Sequence, residues 1–188
     1  PGGVGLTPDH GRVGSNGYHV AGQLDRIVRA TGRKVSLAGG SRGGIIAREG
    51  ARRDPDAVRQ VVTMGSPFRG NPHANRVGRI YEHLTGNKVE SAASMRRFEA
   101  GPHPLPGPPP SIYHRSDRIA AWGKCVALED HQSQNVEVHA RHMGMVVNAA
   151  ILHVLADRLG QPRSKWARLP PQGPPALQTT HAPCDRHV

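Results

Sequence analysis

Apolar positions in the first third of the chain change between helical spacing and strand spacing. Between residues 21 and 31 they recur every three or four positions, which predicts an amphipathic helix that ends at Gly32. Lys34–Ala38 is a short, mostly apolar run that predicts a strand closed by two glycines, and Gly43–Arg53 then predicts a helix that ends before a proline. The apolar positions of the first helix are Leu24, Ile27 and Val28.

The same alternation continues through the rest of the chain. Val58–Met64 is β-branched and apolar, as expected of a strand buried on both faces of a parallel sheet. The last helix is predicted to align Val147, Ile151, Val154, Leu155 and Leu159 along one face. The other predicted elements are a helix around Val77–Leu84, a proline-rich loop over 102–110, strands over Ser111–His114 and Asn135–Ala140, and the last helix over Met145–Leu159.

Strands that alternate with helices predict an α/β domain built on a mostly parallel sheet. The chain has 188 residues, enough for one domain with a substantial core. We expect this domain to span residues 1–162. Residues 163–188 are rich in Pro, Gln, Arg and His without periodicity, which predicts a tail that is disordered or loosely attached.

The charge of the chain is strongly positive, with a formal net charge of +11. The basic residues are scattered and aromatic residues make up only 4%, so specific nucleic-acid binding is not expected and a solvated, arginine-rich surface is. The sequence contains no run of about 20 apolar residues, so it predicts no membrane-spanning helix. The scattered basic residues include Arg29, Arg33, Arg42, Arg48, Arg52, Arg53 and Arg59.

Cysteine and histidine residues do not predict a metal site. Cys125 and Cys184 form neither a disulfide framework nor a CxxC pair, and the 12 histidines are dispersed. We therefore expect no metal and no organic cofactor. The sequence leaves the oligomeric state and the compartment open.

The pattern Gly39-x-Ser41-x-Gly43 lies between a predicted strand and a predicted helix. In that context it is typical of a nucleophile elbow, a tight turn that presents a serine hydroxyl at the start of the helix. We expect the flanking glycines to prevent clashes across the turn, and the backbone N–H of Arg42 to stabilise an oxyanion. The alternative is a plain glycine-rich turn, which could cradle a phosphate.

A serine nucleophile needs a base, and the base needs a carboxylate that orients it. Asp117 follows the third predicted strand and His142 follows the fourth, so both are expected at the sheet edge that carries Ser41. The order serine, acid, histidine is that of α/β-type hydrolases. Asp117 could instead only close an Asx turn. The rival residues are Asp130 and Glu129 for the acid, and His131 and His139 for the base, with His139 expected inside a strand.

Three separate segments resemble bacterial α/β hydrolases of the triacylglycerol-lipase-like group. Lys34–Arg69 is similar to the elbow region of that group, KVSLVGxSxGGxxAR followed by VRxVxTLGSPF. Ser111–Trp122 (SIYHRSDRIAAW) resembles its acid-bearing segment, and Asn135–Pro162 resembles its NVEVxGSHxGMxxNP ending. The match covers roughly residues 22–162, with the segments in the order of the family.

The resemblance implies an α/β-hydrolase fold in which Ser41 is the nucleophile, Asp117 the acid and His142 the base. It also implies that residues 69–106 form a cap-like insertion over the site. The N-terminal strands of the family, and the loop that supplies its second oxyanion donor, have no counterpart in the sequence. We therefore expect an N-terminally truncated or minimal version of the fold.

The function expected from these features is hydrolysis of a small-molecule ester or a lipid through an acyl-enzyme on Ser41. Two alternatives use the same fold. One is a weak or inactive hydrolase-fold protein that binds anionic partners through its basic surface. The other is an acyltransferase that uses the same three side chains.

Overall fold

A computed structural model describes residues 13–69, 105, 107, 110–128, 133–162 and 166–169. The described part of the chain forms a parallel sheet with helices packed on it. In chain order the elements are α1 (Val13–Thr31), β1 (Val35–Gly40), α2 (Arg42–Arg53), β2 (Val58–Met64), β3 (Pro110–Tyr113), a first 3-10 helix (Trp122–Lys124), β4 (Gln134–Glu137), a second 3-10 helix (His142–Val147) and α3 (Ala149–Gly160).

The four strands pair in the order β1-β2-β3-β4, and every pairing is parallel. Strand β2 has the predicted bounds Val58–Met64 and lies in the interior of the sheet. The carboxyl ends of all four strands therefore meet at one edge of the sheet, which we call the carboxyl edge. The prediction of an α/β fold with a mostly parallel sheet is confirmed.

Two apolar clusters lie on the two faces of the sheet. Adjacent residues of β2 point to opposite faces, and Val61 packs in a cluster with α1 and α2 whereas Val62 packs in a cluster with α3. Both valines are fully buried. The sheet is thus the middle layer between α1 and α2 on one side and α3 on the other.

Helix α1 begins at Val13, well before the predicted start at residue 21. Its first half is poor in helix-forming residues, and packing against α2 overrides that preference. A β-carbon at Gly17 would lie 2.7 Å from Glu49 Cγ, and one at Gly50 would lie 2.6 Å from Val20 Cγ1. Glycines at the crossing therefore let the two helices approach closely, which a single-helix pattern does not reveal.

The predicted last helix over 145–159 is wrong at its start. A 3-10 helix ends at Val147 and α3 begins after Asn148, whose side chain accepts hydrogen bonds from the backbone N–H groups of Ala150 and Ile151. This N-cap separates the two helices. Val147 consequently leaves the predicted apolar face and is 75% exposed.

The predicted strand over 135–140 is also too long. Strand β4 ends at Glu137, although the N–H of Val138 still bonds to the carbonyl of Tyr113 at 2.8 Å. The interpretation of His139 as a strand residue is therefore wrong, because it lies in an exposed stretch after the strand.

Two arginines depart from the expectation of a solvated, arginine-rich surface. Arg48 and Arg158 are each 1% exposed. The Arg48 guanidinium lies over the ring of Phe68, 3.9 Å from its centroid. Burial lowers the pKa of Arg48, and the charge of Arg52 lowers it further. Arg158 pairs with Asp157. Their long aliphatic stems and planar heads allow such packing positions.

Residues 166–169 pack against the opposite end of the sheet from the carboxyl edge. The side-chain amide of Gln134, the first residue of β4, donates to the Leu169 carbonyl at 3.1 Å and accepts from the Leu169 N–H at 2.9 Å. Arg158 donates to the Ala167 carbonyl at 2.8 Å. We call residues 166–169 and these contacts the C-terminal clasp.

Several predictions lie mainly outside the described residues. They are the helix near 77–84, the loop over 102–110 apart from Leu105, Gly107 and Pro110, the insertion over 69–106 and the tail beyond the clasp. The division of the chain into a domain over 1–162 and a tail stays a prediction. In the portion of the chain that is described, no helix is both long and apolar enough to span a membrane.

Candidate active site

Ser41 occupies a strained turn between β1 and α2. Its backbone angles are φ 50° and ψ −122°, and within the described ranges it is the one residue other than glycine with a positive φ. The Ser41 N–H is held by the Met64 carbonyl at 2.8 Å. Ser41 stands at the N-cap of α2, yet its hydroxyl does not cap the helix. The strain therefore serves to aim the hydroxyl elsewhere, as in a nucleophile elbow.

The glycines around Ser41 do not share one role. A β-carbon at Gly39 would lie 2.4 Å from the carbonyl carbon of Gly43, so this turn requires glycine there. Position 43 has open space, with nothing within 4 Å. The expectation that both flanking glycines prevent clashes is therefore wrong for Gly43. The second close approach is at Gly44, where a β-carbon would lie 2.1 Å from Ser66 Oγ, and the sequence analysis missed it.

We expect Gly39→Ala and Gly43→Ala to differ sharply in stability. The methyl group at position 39 meets backbone atoms that have no room to move, so it should cost about 3 kcal/mol or more of unfolding free energy. The methyl group at position 43 enters open space in a helix and should be neutral or slightly stabilising. Urea unfolding of both variants measures this, and equal losses at the two positions would contradict the turn geometry described above.

Three side chains meet beside this turn at the carboxyl edge. His142 Nε2 lies 3.0 Å from Ser41 Oγ, and His142 Nδ1 lies 2.6 Å from Asp117 Oδ2. The side chains of His142 and Asp117 are 8% and 1% exposed. The three residues follow β1, β3 and β4, whose parallel order brings their carboxyl ends together. The arrangement can transfer a proton from a hydroxyl to an imidazole whose orientation a carboxylate fixes.

The Asp117 carboxylate closes an Asx turn and also contacts His142, so the two possibilities raised by the sequence do not exclude each other. Its Oδ1 accepts from the backbone N–H groups of Ile119 and Ala120 at 2.8 and 2.9 Å, which closes an Asx turn. Its Oδ2 is the atom that contacts His142. The turn therefore fixes the carboxylate so that one oxygen faces the imidazole.

Cys125 lies in the buried cluster below the Asp117 turn, with Tyr113 and Val126. Burial raises the pKa of the Cys125 thiol, and the negative charge of Asp117 raises it further. A thiol held in its neutral form is a poor nucleophile. Cys125 is thus a packing residue.

The structure also bears on the rival residues. Asp130, Glu129 and His131 lie outside the described residues. His139 is exposed, and its carbonyl accepts a hydrogen bond from Asn148 Nδ2 at 3.4 Å. A second serine–histidine pair, which the sequence analysis missed, joins Ser116 Oγ to His114 Nε2 at 3.3 Å in the turn before Asp117. In the sequence, the only indication of this pair is that Ser116 lies two positions after His114.

Solved structures of hydrolases are similar to this chain. A hydrolase from Pseudomonas aeruginosa PA01 has 18% identity over 85% of this chain and 76% of its own, with a TM-score of 0.56. The mature lipase BlEst2 of Bacillus licheniformis has 17% identity over 80% and 75%, with a TM-score of 0.55. A monoacylglycerol lipase from Paleococcus ferrophilus has 15% identity over 79% and 76%, with a TM-score of 0.50.

These likenesses, together with the parallel sheet and the turn at Ser41, decide the fold. The chain has the α/β-hydrolase fold. No protein-family model matches the sequence. The structural neighbours agree with the resemblance drawn from the sequence at the level of the fold.

In this α/β-hydrolase fold the residue after Ser41 begins α2, so Arg42 stands at the helix N-terminus, the end toward which backbone N–H groups point. The partial positive charge of that terminus favours an anion. Its role as oxyanion donor stays a prediction. Across the parts of the chain that the structure describes, no group of three or more His, Cys, Asp or Glu side chains is arranged to hold a metal ion.

Proposed function

We propose that this protein is a serine hydrolase that cleaves carboxylic esters through an acyl-enzyme on Ser41. The observation that carries the proposal is the position of one imidazole, His142, whose two nitrogens contact Ser41 Oγ and Asp117 Oδ2 at 3.0 and 2.6 Å. A glycine-rich turn without a catalytic serine would not require a strained serine in contact with a buried histidine–carboxylate pair.

The reaction divides into two steps with His142 as the proton carrier. In the first, Nε2 takes the proton of Ser41 Oγ as the oxygen attacks the ester carbonyl, and then gives that proton to the departing alcohol. In the second, Nε2 takes a proton from water, which attacks the acyl group, and returns it to Ser41 as the acid leaves. Asp117 keeps the Nδ1 proton of the imidazole in place throughout.

The negative oxygen of each tetrahedral intermediate needs donors that are already oriented. The backbone N–H of Arg42 is the proposed donor, because it begins helix α2 next to the nucleophile. A single donor of this kind contributes about 10²–10³ to turnover. The proposed substrates are small-molecule esters or lipids, in line with the lipases among the structural neighbours, and none of these steps needs a cofactor.

Labelling with a fluorophosphonate probe tests the proposal. The probe should attach to Ser41 in the native chain, as mapped by peptide mass spectrometry, and labelling should vanish in Ser41→Ala. Ser116→Ala is the matched control, because Ser116 is exposed and lies beside another histidine. It should label like the native chain. A native chain that stays unlabelled, or that is labelled at Ser116 in place of Ser41, would refute the proposed nucleophile.

The second candidate function is binding of anionic partners without catalysis, and the net charge of +11 is the observation in its favour. It predicts salt-sensitive binding to a polyanion such as heparin together with no labelling of Ser41. Acyl transfer to an acceptor other than water would use the same acyl-enzyme. Adding alcohol acceptors to the ester assay and measuring the transfer product separates it from hydrolysis.

A further inference from the structure

Gly65, the first residue after β2, lies directly against His142, the proposed general base. Its φ is +54°, and its N–H bonds to the Ile112 carbonyl at 2.9 Å, so its place at the carboxyl edge is fixed. A β-carbon at this position would lie 2.7 Å from Met145 Sδ, 3.2 Å from Met145 Cε and 3.4 Å from His142 Nδ1. Nδ1 is the nitrogen that contacts Asp117.

His142 and Met145 face Gly65 together because they lie one turn apart in the second 3-10 helix. Such a helix has about three residues per turn, so residues three apart share a face. Met145 is 2% exposed and packs in the apolar cluster with Val136 and Ile151. A side chain at position 65 would therefore press on the end of the buried Met145 side chain and on the imidazole of His142, which the same short helix carries.

We infer that Gly65 is a positioning residue for His142. The missing side chain lets the 3-10 helix approach the end of β2, so that one imidazole reaches both Ser41 and Asp117. Gly65 acts through the His142–Met145 face and does not contact the reacting atoms. The inference rests on the proposed function, since it concerns His142, the general base in that proposal.

Gly65→Ala should lower kcat for p-nitrophenyl ester hydrolysis by about 10²-fold, the effect expected of a displacement near 1 Å in a catalytic group. KM should change little, because the added methyl group faces Met145 and His142 Nδ1 on the side of the imidazole away from Ser41 Oγ. The Nδ1 proton of His142, recognised in the downfield NMR spectrum by its absence in His142→Ala, should shift upfield or broaden. A purely structural role for Gly65 would leave this resonance unchanged in the folded variant.

The chain provides a matched control for backbone strain. Gly32 has a φ of +65° and nothing within 4 Å of its β-carbon position, so Gly32→Ala carries a similar conformational cost without a clash. It should keep the native kcat and the native resonance. Loss of turnover in Gly32→Ala equal to that in Gly65→Ala would assign the effect to global destabilisation and overturn the inference.

A double variant tests the route through Met145. In a Met145→Ala background the principal clash is removed, so adding Gly65→Ala should change kcat by no more than about threefold, a strong departure from additivity. This comparison also serves if Gly65→Ala alone does not fold. A double variant that fails to fold, or that loses kcat as fully as the single variant does, would overturn the inference.

The two proposals can fail separately. Native kcat and a native resonance in Gly65→Ala, with turnover still lost in His142→Ala, would overturn the positioning role and leave the esterase proposal intact. Conversely, a native chain without ester turnover would refute the esterase proposal, while the Nδ1 resonance would still report whether Gly65 sets the position of His142.

Discussion

His142→Ala should lower kcat for p-nitrophenyl acetate hydrolysis by a factor on the order of 10⁶. The loss is large because Ser41 would have no acceptor for its proton, and the remaining groups of a serine–histidine–carboxylate set contribute little once one member is gone. Steady-state kinetics with active-site titration measures it. Circular dichroism should show an unchanged fold, since among the described residues the His142 side chain is hydrogen-bonded only to the other two members.

His139→Ala is the matched control for this substitution. His139 lies three positions earlier in the same connection, is exposed, and was the rival base in the sequence. Its kcat should stay within about twofold of native, because exposed side chains away from the site have small effects. Full turnover in His142→Ala, or loss of turnover in His139→Ala alone, would reassign the base.

Asp117→Asn should lower kcat by about 10⁴-fold with little loss of stability. The amide oxygen can keep the two backbone bonds to Ile119 and Ala120 that Oδ1 accepts. The amide nitrogen then faces Nδ1 of His142, which must become an acceptor, so its proton moves to Nε2. An imidazole protonated at Nε2 cannot accept the proton of Ser41.

Asp117→Ala separates the two roles of the carboxylate. It should lose as much turnover as the asparagine variant and also melt at a lower temperature, because the Asx turn above Cys125 loses its acceptor. Differential scanning calorimetry beside the kinetic assay shows the contrast. Identical melting temperatures for the two variants would mean that the Oδ1 contacts contribute nothing to stability, and native turnover in either would exclude Asp117 as the acid.

Elements whose stability depends on local composition could be predicted from the sequence. Strand β2 has its predicted bounds because its run of β-branched residues is buried on both faces, and only a parallel interior strand fits such a run. The first half of α1 could not be predicted, since its helix exists through contacts at Gly17 and Gly50. The start of α3 was misplaced because an N-cap at Asn148 interrupts a continuous apolar pattern.

The residues of the candidate site also fall into those that the sequence can identify and those that it cannot. Ser41, Asp117 and His142 were identified because a turn motif and strand ends are local features, and a parallel sheet then fixes where they meet. Gly44 and Gly65 were not, because their importance depends on Ser66 and Met145, which lie far from them in the chain. A glycine in a sequence does not show what packs against it.

The C-terminal clasp has a consequence for how this domain tolerates change. Its anchors, Gln134 and Arg158, are each 1% exposed, and both would lose hydrogen-bond partners if the chain were shortened after α3. That damage would fall on the far rim of the sheet, away from Ser41. The clasp therefore adds stability at the end of the four strands that lies away from Ser41, so variation in the clasp can change the melting temperature without altering the candidate site.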